Sequence, residues 1–379
     1  MGTGLFLTYW HSMCYLGIEI GGTKLQVGIG TGDEPRLMAL HRDEIDRRQG
    51  AEAIRRRILD FARPLIAEHH PRAIGIAFGG PIDVQTGRTL KSHHVAGWDN
   101  FPLIQWCQDE LGLPAAMGND ADLAGWAEAI YGAGKGHRAV FYITVGTGIG
   151  GALIYEGKIY TGAHGIAAEI GHLRPGPTAV SPENDLESIS AGWGIAARAQ
   201  TLVREILASR GDFEAGSGDS IRISVWREKW ATEELGDVSF STLNDAAMNL
   251  LQRCGNDLDR LTTKMLGEAL ASGNVIAAWV FARALRTLGW AIAQMITLLA
   301  PSAIVIGGGV SLLGERLFFE PLRKEVARYV FPPLADRYVI RPAELGEEVM
   351  VHGAILLARQ SFETAAGMDV TSHALEQKR

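Results

Sequence analysis

From Cys14 to Ile45 apolar and polar positions alternate with a period of two, and Gly-rich turns divide the run into three strands: CYLGIEIGG, TKLQVGIG and PRLMALHRDEI. At about residues 50–68 the period changes. GAEAIRRRILDFARPLIAEHH repeats its apolar positions at three and four, which predicts an amphipathic helix with Arg55, Arg56 and Arg57 on its solvated face. A strand RAIGIAFGG, a turn GPIDVQTG, a helix within GWDNFPLIQWCQDELG, a short strand PAAMGND and a helix ADLAGWAEAIYG follow. The order then begins again, with AVFYITVGTG, GALIYEG and KIYTGAHG as a second set of three strands. The pattern predicts two related α/β halves, a duplication visible in element order and not in residue identity.

Gly146, Gly148 and Gly151 spell GxGxxG after an apolar, β-branched run. In a dinucleotide-binding fold that loop must open a helix, whose N-terminus takes the pyrophosphate. Here the next residues, ALIYEGKIY, alternate, and Glu156-Gly157 is a tight-turn pair, so a β-hairpin follows and a dehydrogenase is excluded. IEIGGTKLQVGI repeats the same arrangement of strand, glycine turn and strand. Either turn alone reads as an ordinary hairpin. Two of them in matching positions of two halves can offer backbone N–H groups to one polyphosphate.

Composition narrows the field further. The chain has 379 residues, 47% hydrophobic and 21% charged, with 46 glycines, enough length for two domains that each bury a core. A formal charge of −7 without a dense basic tract argues against nucleic-acid binding. Cys14, Cys107 and Cys254 are widely spaced, which suits a reducing cytoplasm and supplies neither a disulfide framework nor a zinc site. Residues 1–12 are apolar but lack a basic n-region and a cleavage-like ending; they read as an extension upstream of a domain that begins near Met13. Thr287 to Gly314 is a run of 28 uncharged residues, long enough to span a bilayer. Pro301 and Gly307, Gly308 and Gly309 break it into helix, strand and turn, with Arg283 and Arg286 in the same helix, so it is expected to be core.

GIEIGGTK, GNDAD, TVGTGIGG, GAHGIAAEIGH and VIGGGV stand in the order and spacing of ROK-family sugar kinases, which the chain resembles from about Cys14 to about Arg359. The resemblance implies two duplicated RNase H-like (actin-like ATPase) domains with an interdomain active-site cleft. Their bounds would be 14–138, completed by a C-terminal helix at 350–365, and 139–349 with an insertion at about 205–260. It further implies that Glu19, Gly21, Gly22, Thr23 and Lys24 form one phosphate loop and Gly146, Thr147 and Gly148 the other, with Gly307, Gly308 and Gly309 against the nucleotide. A strand that ends in three glycines would let backbone approach a flat ligand closely.

By the same resemblance Asp120 is the catalytic base for a sugar hydroxyl, and Gly80, Asn119, Glu169, His172 and Glu187 contact the sugar. Asn and Asp at a strand-to-helix junction are also the commonest helix caps, and Glu169 and His172 without the motif would read as surface or capping residues. Asp122, two residues on, reads as structural. A set of carboxylate, amide and imidazole groups suits hexose hydroxyls, which need acceptors and donors. The implied activity is phosphoryl transfer from ATP with Mg2+ to a hexose, glucose first, with fructose, mannose or an N-acetylhexosamine as alternatives, in a cytoplasmic enzyme that forms a homodimer. A non-catalytic sugar sensor is a third reading. Repressors of the family carry a helix-turn-helix domain ahead of the first phosphate loop, whereas only eighteen residues precede Glu19 here.

The sequence departs from the family in places. Many members follow the GH histidine with a CxCGxxGC zinc run; here the segment is GHLRPGPTAVSPENDLES, with Asp185 at the place of the last cysteine, so no structural zinc is expected. His172 is then left to the sugar, and Pro175, Pro177 and Pro182 must stiffen the loop. Glu19 replaces an aspartate that helps place magnesium, Ala168 a common glycine, and His94 a frequent asparagine.

Overall fold

The computed structural model describes residues 13–90, 95–175, 181, 183–209 and 238–368. His94, Pro177, Pro182, residues 1–12 and positions 210–237 of the expected insertion lie outside the described residues. The chain divides into two compact units: one of residues up to Tyr142, Ala152–Ala167 and Ala343 onward, the other of Ile143–Gly151 and Ala168–Pro342.

The first unit is built on strands β1 (Tyr15–Ile20), β2 (Lys24–Gly30), β3 (Leu37–Glu44), β4 (Ile74–Phe78) and β7 (Ala115–Asn119), in the order β3-β2-β1-β4-β7. β1, β2 and β3 pair antiparallel, and β4 and β7 add in parallel. A small hairpin, β5 (Ile82–Asp83) and β6 (Arg88–Thr89), projects after β4. Helix α1 (Gly50–His69) buries Ala51, Ile54, Ile58, Ala62 and Leu65, the three-and-four spacing expected, and ends where His70 turns left-handed. The three arginines are less uniform than expected. Arg56 is paired with Glu52 and Arg57 with Asp43, but Arg55 covers the rings of Trp98 and Phe101. Helix α2 (Leu103–Leu111) begins only after Pro102, and α3 (Asp120–Ile130) grows directly from the end of β7.

In the second sheet β8 (Ala139–Val145), β9 (Ile149–Tyr155), β10 (Lys158–Ile159), β11 (Ala303–Gly307) and β12 (Val339–Pro342) take the order β10-β9-β8-β11-β12, the same scheme as the first. The dinucleotide reading fails as expected, since Glu156 and Gly157, both at positive φ, close a hairpin. One expectation needs correcting. KIYTGAHG forms only a two-residue strand, because Gly162 and Gly165 adopt positive φ and take the chain out of the ladder.

Helices α4 (Leu186–Ser190), α5 (Gly192–Ala208), α6 (Phe240–Arg253), α7 (Thr263–Ala271), α8 (Val275–Leu299) and α9 (Glu320–Tyr329) supply the rest of the second unit. By length and composition α8 could cross a membrane; in the fold it packs against α4, α5 and α9. Gly289 lets α9 come close, since a Cβ there would stand 2.6 Å from the Cβ of Glu325.

The last helix, α10 (Val349–Ala365), belongs to the first unit and lies on β1, β4 and α3. Three glycines make room for it. A Cβ on Gly75 would stand 1.8 Å from the Ala354 carbonyl oxygen, one on Gly17 2.7 Å from that of Val351, and one on Gly353 2.1 Å from that of Leu123.

Candidate active site

In the first unit the sequence-predicted residues gather at the ends of β1, β4 and β7. Asn119 caps α3: its Oδ1 accepts the N–H groups of Ala121 and Asp122 at 2.9 and 3.2 Å. The capping role and the sugar role are compatible, because the cap uses the amide oxygen and leaves the Nδ2 group as the donor. Asp120 follows at the first helical position, its Oδ1 taking the Ala121 N–H at 2.8 Å. Gly79 separates that carboxylate from the first glycine turn. A Cβ there would stand 3.2 Å from Asp120 Oδ2 and 3.3 Å from the Gly21 Cα. A Cβ there would press on both segments, and Gly80 follows, its N–H on the Phe78 carbonyl.

The turn Gly21–Gly22–Thr23 is closed by the Gly21 N–H on the Lys24 carbonyl at 2.9 Å. Glu19, just before it, is 3% exposed. Burial pushes its carboxyl up to about 7; Lys24 and Gln26 hold it down, and Asp120 adds to the rise. Lys24 is not simply extended toward a ligand. Its Nζ donates to the Glu347 carbonyl at 3.0 Å and lies 3.7 Å from Glu19 Oε1.

In the second unit three glycine segments meet. The Gly146 N–H bonds the Gly148 carbonyl, and the Gly192 N–H bonds the Gly146 carbonyl, each at 2.9 Å. The Val310 N–H bonds the Val145 carbonyl at 2.9 Å, which sets Gly307–Gly309 beside the Gly146–Gly148 turn. Gly308, at φ 89, is pressed to the backbone of Val145, while Cβ atoms on Gly146 and Gly309 would meet open space. That combination gives a floor of backbone with room above it, as a polyphosphate or a flat ring requires.

Glu187 Oε2 accepts the Ile149 N–H at 2.8 Å, so one of its oxygens is committed to the second turn. Glu169 sits at the entry of the 3-10 turn Ile170–His172. Burial lifts its carboxyl above the ordinary range; His172 opposes the shift and Glu187 adds to it, which places the three expected sugar ligands within electrostatic reach of one another.

The ROK family model matches residues 15–361. The chain belongs to the ROK family. It is 29% identical over 350 residues to a glucokinase of Streptomyces coelicolor, covering 91% of this chain and 97% of that one. It is 34% identical over 212 residues to an N-acetylmannosamine kinase of Escherichia coli, over 55% of this chain and 71% of that one. Among solved structures, a ROK glucokinase of Streptomyces griseus in complex with glucose and AMPPNP superposes with a TM-score of 0.67 at 28% identity, covering 92% of this chain and 99% of that one. A ROK transcriptional regulator shares the fold at TM-score 0.67 and 18% identity, covering 93% of this chain and 79% of that one. The duplicated RNase H-like architecture expected from the motifs is therefore the architecture of the family's solved members.

In the cysteine-free segment of this ROK chain, His172 faces a carboxylate. His172 Nδ1 lies 3.5 Å from Asp185 Oδ2, and Asp185 also caps α4 through the Ser188 N–H at 2.8 Å. Leu186 N–H bonds the Leu173 carbonyl at 2.8 Å and closes the loop base. Among the described residues no group of three or more His, Cys, Asp or Glu side chains could hold a metal ion. Ala168, in place of the common glycine, stands at φ 63, a left-handed conformation that a Cβ strains.

Sequence reasoning missed several neighbours of these loops. Arg47 donates to the Gly22 carbonyl at 2.7 Å, Gly192 accommodates the second turn, and Gln26 bonds Glu19. Only Gln26 left a signal: it is the one amide in the apolar strand KLQVGIG.

Proposed function

We propose that this ROK protein is an ATP-dependent hexose kinase, transferring the γ-phosphoryl group of MgATP to the 6-hydroxyl of a hexose, with glucose as the first substrate. The observation that carries the reading is Asp120: a carboxylate held at a helix N-terminus, with only Gly79 between it and the first glycine turn, within close contact of both. Family membership and the sugar kinases among its relatives support the sugar-kinase class.

In this reading Asp120 accepts the proton of the attacking hydroxyl, a contribution of about 10²–10⁴-fold. The rest of the acceleration comes from positioning and charge neutralisation of the phosphoryl group. In the first unit the Gly21–Thr23 turn offers backbone N–H groups to phosphate, and Asn119 a side-chain donor to a sugar hydroxyl. In the second, Gly146–Gly148 and Gly307–Gly309 receive the nucleotide, and Glu169, His172 and Glu187 bind ring hydroxyls. Magnesium arrives with ATP; the two neighbouring carboxylates Glu19 and Asp120 fit the habit of this ion, which takes one or two carboxylates and completes its shell with phosphate and water.

The test is ADP release with MgATP and a panel of glucose, fructose, mannose, N-acetylglucosamine and N-acetylmannosamine, run beside Asp120→Asn. Turnover on one sugar, reduced about 10²-fold or more in the variant, is the expected result. Turnover retained in the variant removes Asp120 from its role. The match to the N-acetylmannosamine kinase favours an acylated amino sugar as the second reading, and turnover confined to the N-acetyl sugars would select it.

A further inference from the structure

Gln26 faces Glu19 across the β1–β2 pair and is completely buried. Its amide nitrogen addresses two acceptors at once: Glu19 Oε2 at 2.5 Å and the main-chain carbonyl of Glu347 at 2.7 Å. Its amide oxygen is buried with no hydrogen-bond partner. The orientation is forced, because a flipped amide would point that oxygen at two other oxygens. Gln26 is therefore present for its NH2 group, and the fold tolerates a stranded acceptor to keep it.

Lys24 repeats the arrangement from the rim, with Nζ on the same Glu347 carbonyl and beside the other oxygen of Glu19. Two donors thus bridge the same two acceptors, and each carboxylate oxygen of Glu19 has its own. The Glu347 carbonyl is itself anchored. Glu128 Oε1 accepts the N–H groups of Glu344 and Leu345 at 2.9 and 2.8 Å, and Glu128 is a fully buried residue of α3, the helix that Asp120 begins. On the outer side Arg42 of β3 pairs with Glu347 and Glu348.

We propose that Gln26 is a positioning residue: with the Glu347 carbonyl as its fixed reference, it holds the Glu19 carboxylate in one rotamer beside the first phosphate turn. A glutamate has one more rotatable bond than an aspartate, and a carboxylate free to swing would give the cation that accompanies ATP no single place beside the phosphates. The assignment rests on the kinase reading above and adds to it a residue that touches no ligand.

The experiment is a double-mutant cycle with Gln26→Leu and Glu19→Gln, alone and combined, in the full-length protein with MgATP and the best sugar of the panel. The leucine fills the same space and donates nothing. Expected for Gln26→Leu are a kcat about 10–100-fold lower, a hexose KM within about twofold of wild type, and MgADP affinity by calorimetry weakened about tenfold. The double variant is expected to be no slower than Glu19→Gln alone, since Gln26 acts through Glu19. Gln26→Asn, which keeps the amide but withdraws it, should lie between wild type and Gln26→Leu, and it serves if the leucine variant does not fold. A kcat for Gln26→Leu or Gln26→Asn equal to wild type, or losses that multiply in the double variant, overturn the proposal and leave the kinase reading standing. A wild type that turns over no sugar overturns both.

Discussion

Single side chains in this protein have their chemistry set by burial. Glu169 shows it in a form that can be measured. Its carboxyl is lifted above the ordinary range by burial, and only its ionised form accepts two hydroxyl hydrogen bonds without donating one. As pH falls through that raised value the carboxyl protonates, so the hexose KM should rise toward acid pH, starting above the ordinary carboxylate range, while kcat changes less. Glu169→Gln should show a raised KM that stays flat over the same fall in pH; a KM profile unchanged by this substitution would sink the assignment. The type and spacing of such residues were legible only through the family motifs that carry them, since Glu169, His172, Asn119 and Asp120 would otherwise read as surface or capping residues. The sequence did not show the environment. Nothing local says that Ala168 takes a left-handed φ, that one oxygen of Glu187 is spent on the Ile149 N–H, or that Lys24 is tied to Glu347.

Among the elements, glycine governs how closely helices and strands approach. β1 and β4 carry Gly17 and Gly75 inside otherwise apolar strands. The structure gives them a purpose, because α10 lies so low on the sheet that neither position has space for a methyl group. Gly75→Ala should destabilise the first unit by at least about 3 kcal/mol, read as a lowered melting temperature or a failure to fold, since the group it would strike is backbone and cannot swing aside. A variant that melts within a degree or so of wild type would show that the helix is free to lift. The strands were legible to the extent that they depend on local patterning: alternation gave the two sets of three strands, and the Glu156-Gly157 pair gave the hairpin after Tyr155. The truncation of β10 was not, because a run such as KIYTGAHG alternates well enough, and only the positive φ of two glycines removes it from the ladder.

At the scale of the whole molecule, the first unit is discontinuous in sequence. Its sheet is complete by Asn119, but the helix that covers one face of β1 and β4 is contributed by residues after Ala343. The carbonyl that orients Gln26 comes from that same late segment, 321 residues away along the chain. This explains why the network at Glu19 could not be read from its neighbourhood in the sequence. A chain ended after Pro342 should lose the fixed packing of the first unit, with loss of near-ultraviolet circular dichroism from its aromatic residues, broadened proton resonances and binding of hydrophobic dyes. A truncated chain that keeps a sharp, cooperative melt would contradict the role given to α10.

The position of α10 also bears on how the protein is made. As the chain emerges from the ribosome, β1 and β4 come out early with a bare apolar face, and the residues meant to cover it are among the last to be translated. The second unit, whose final strand ends at Pro342, is complete before that cover arrives. Folding thus finishes where synthesis began, and until α10 has been made the N-terminal sheet lacks the helix that covers one of its apolar faces.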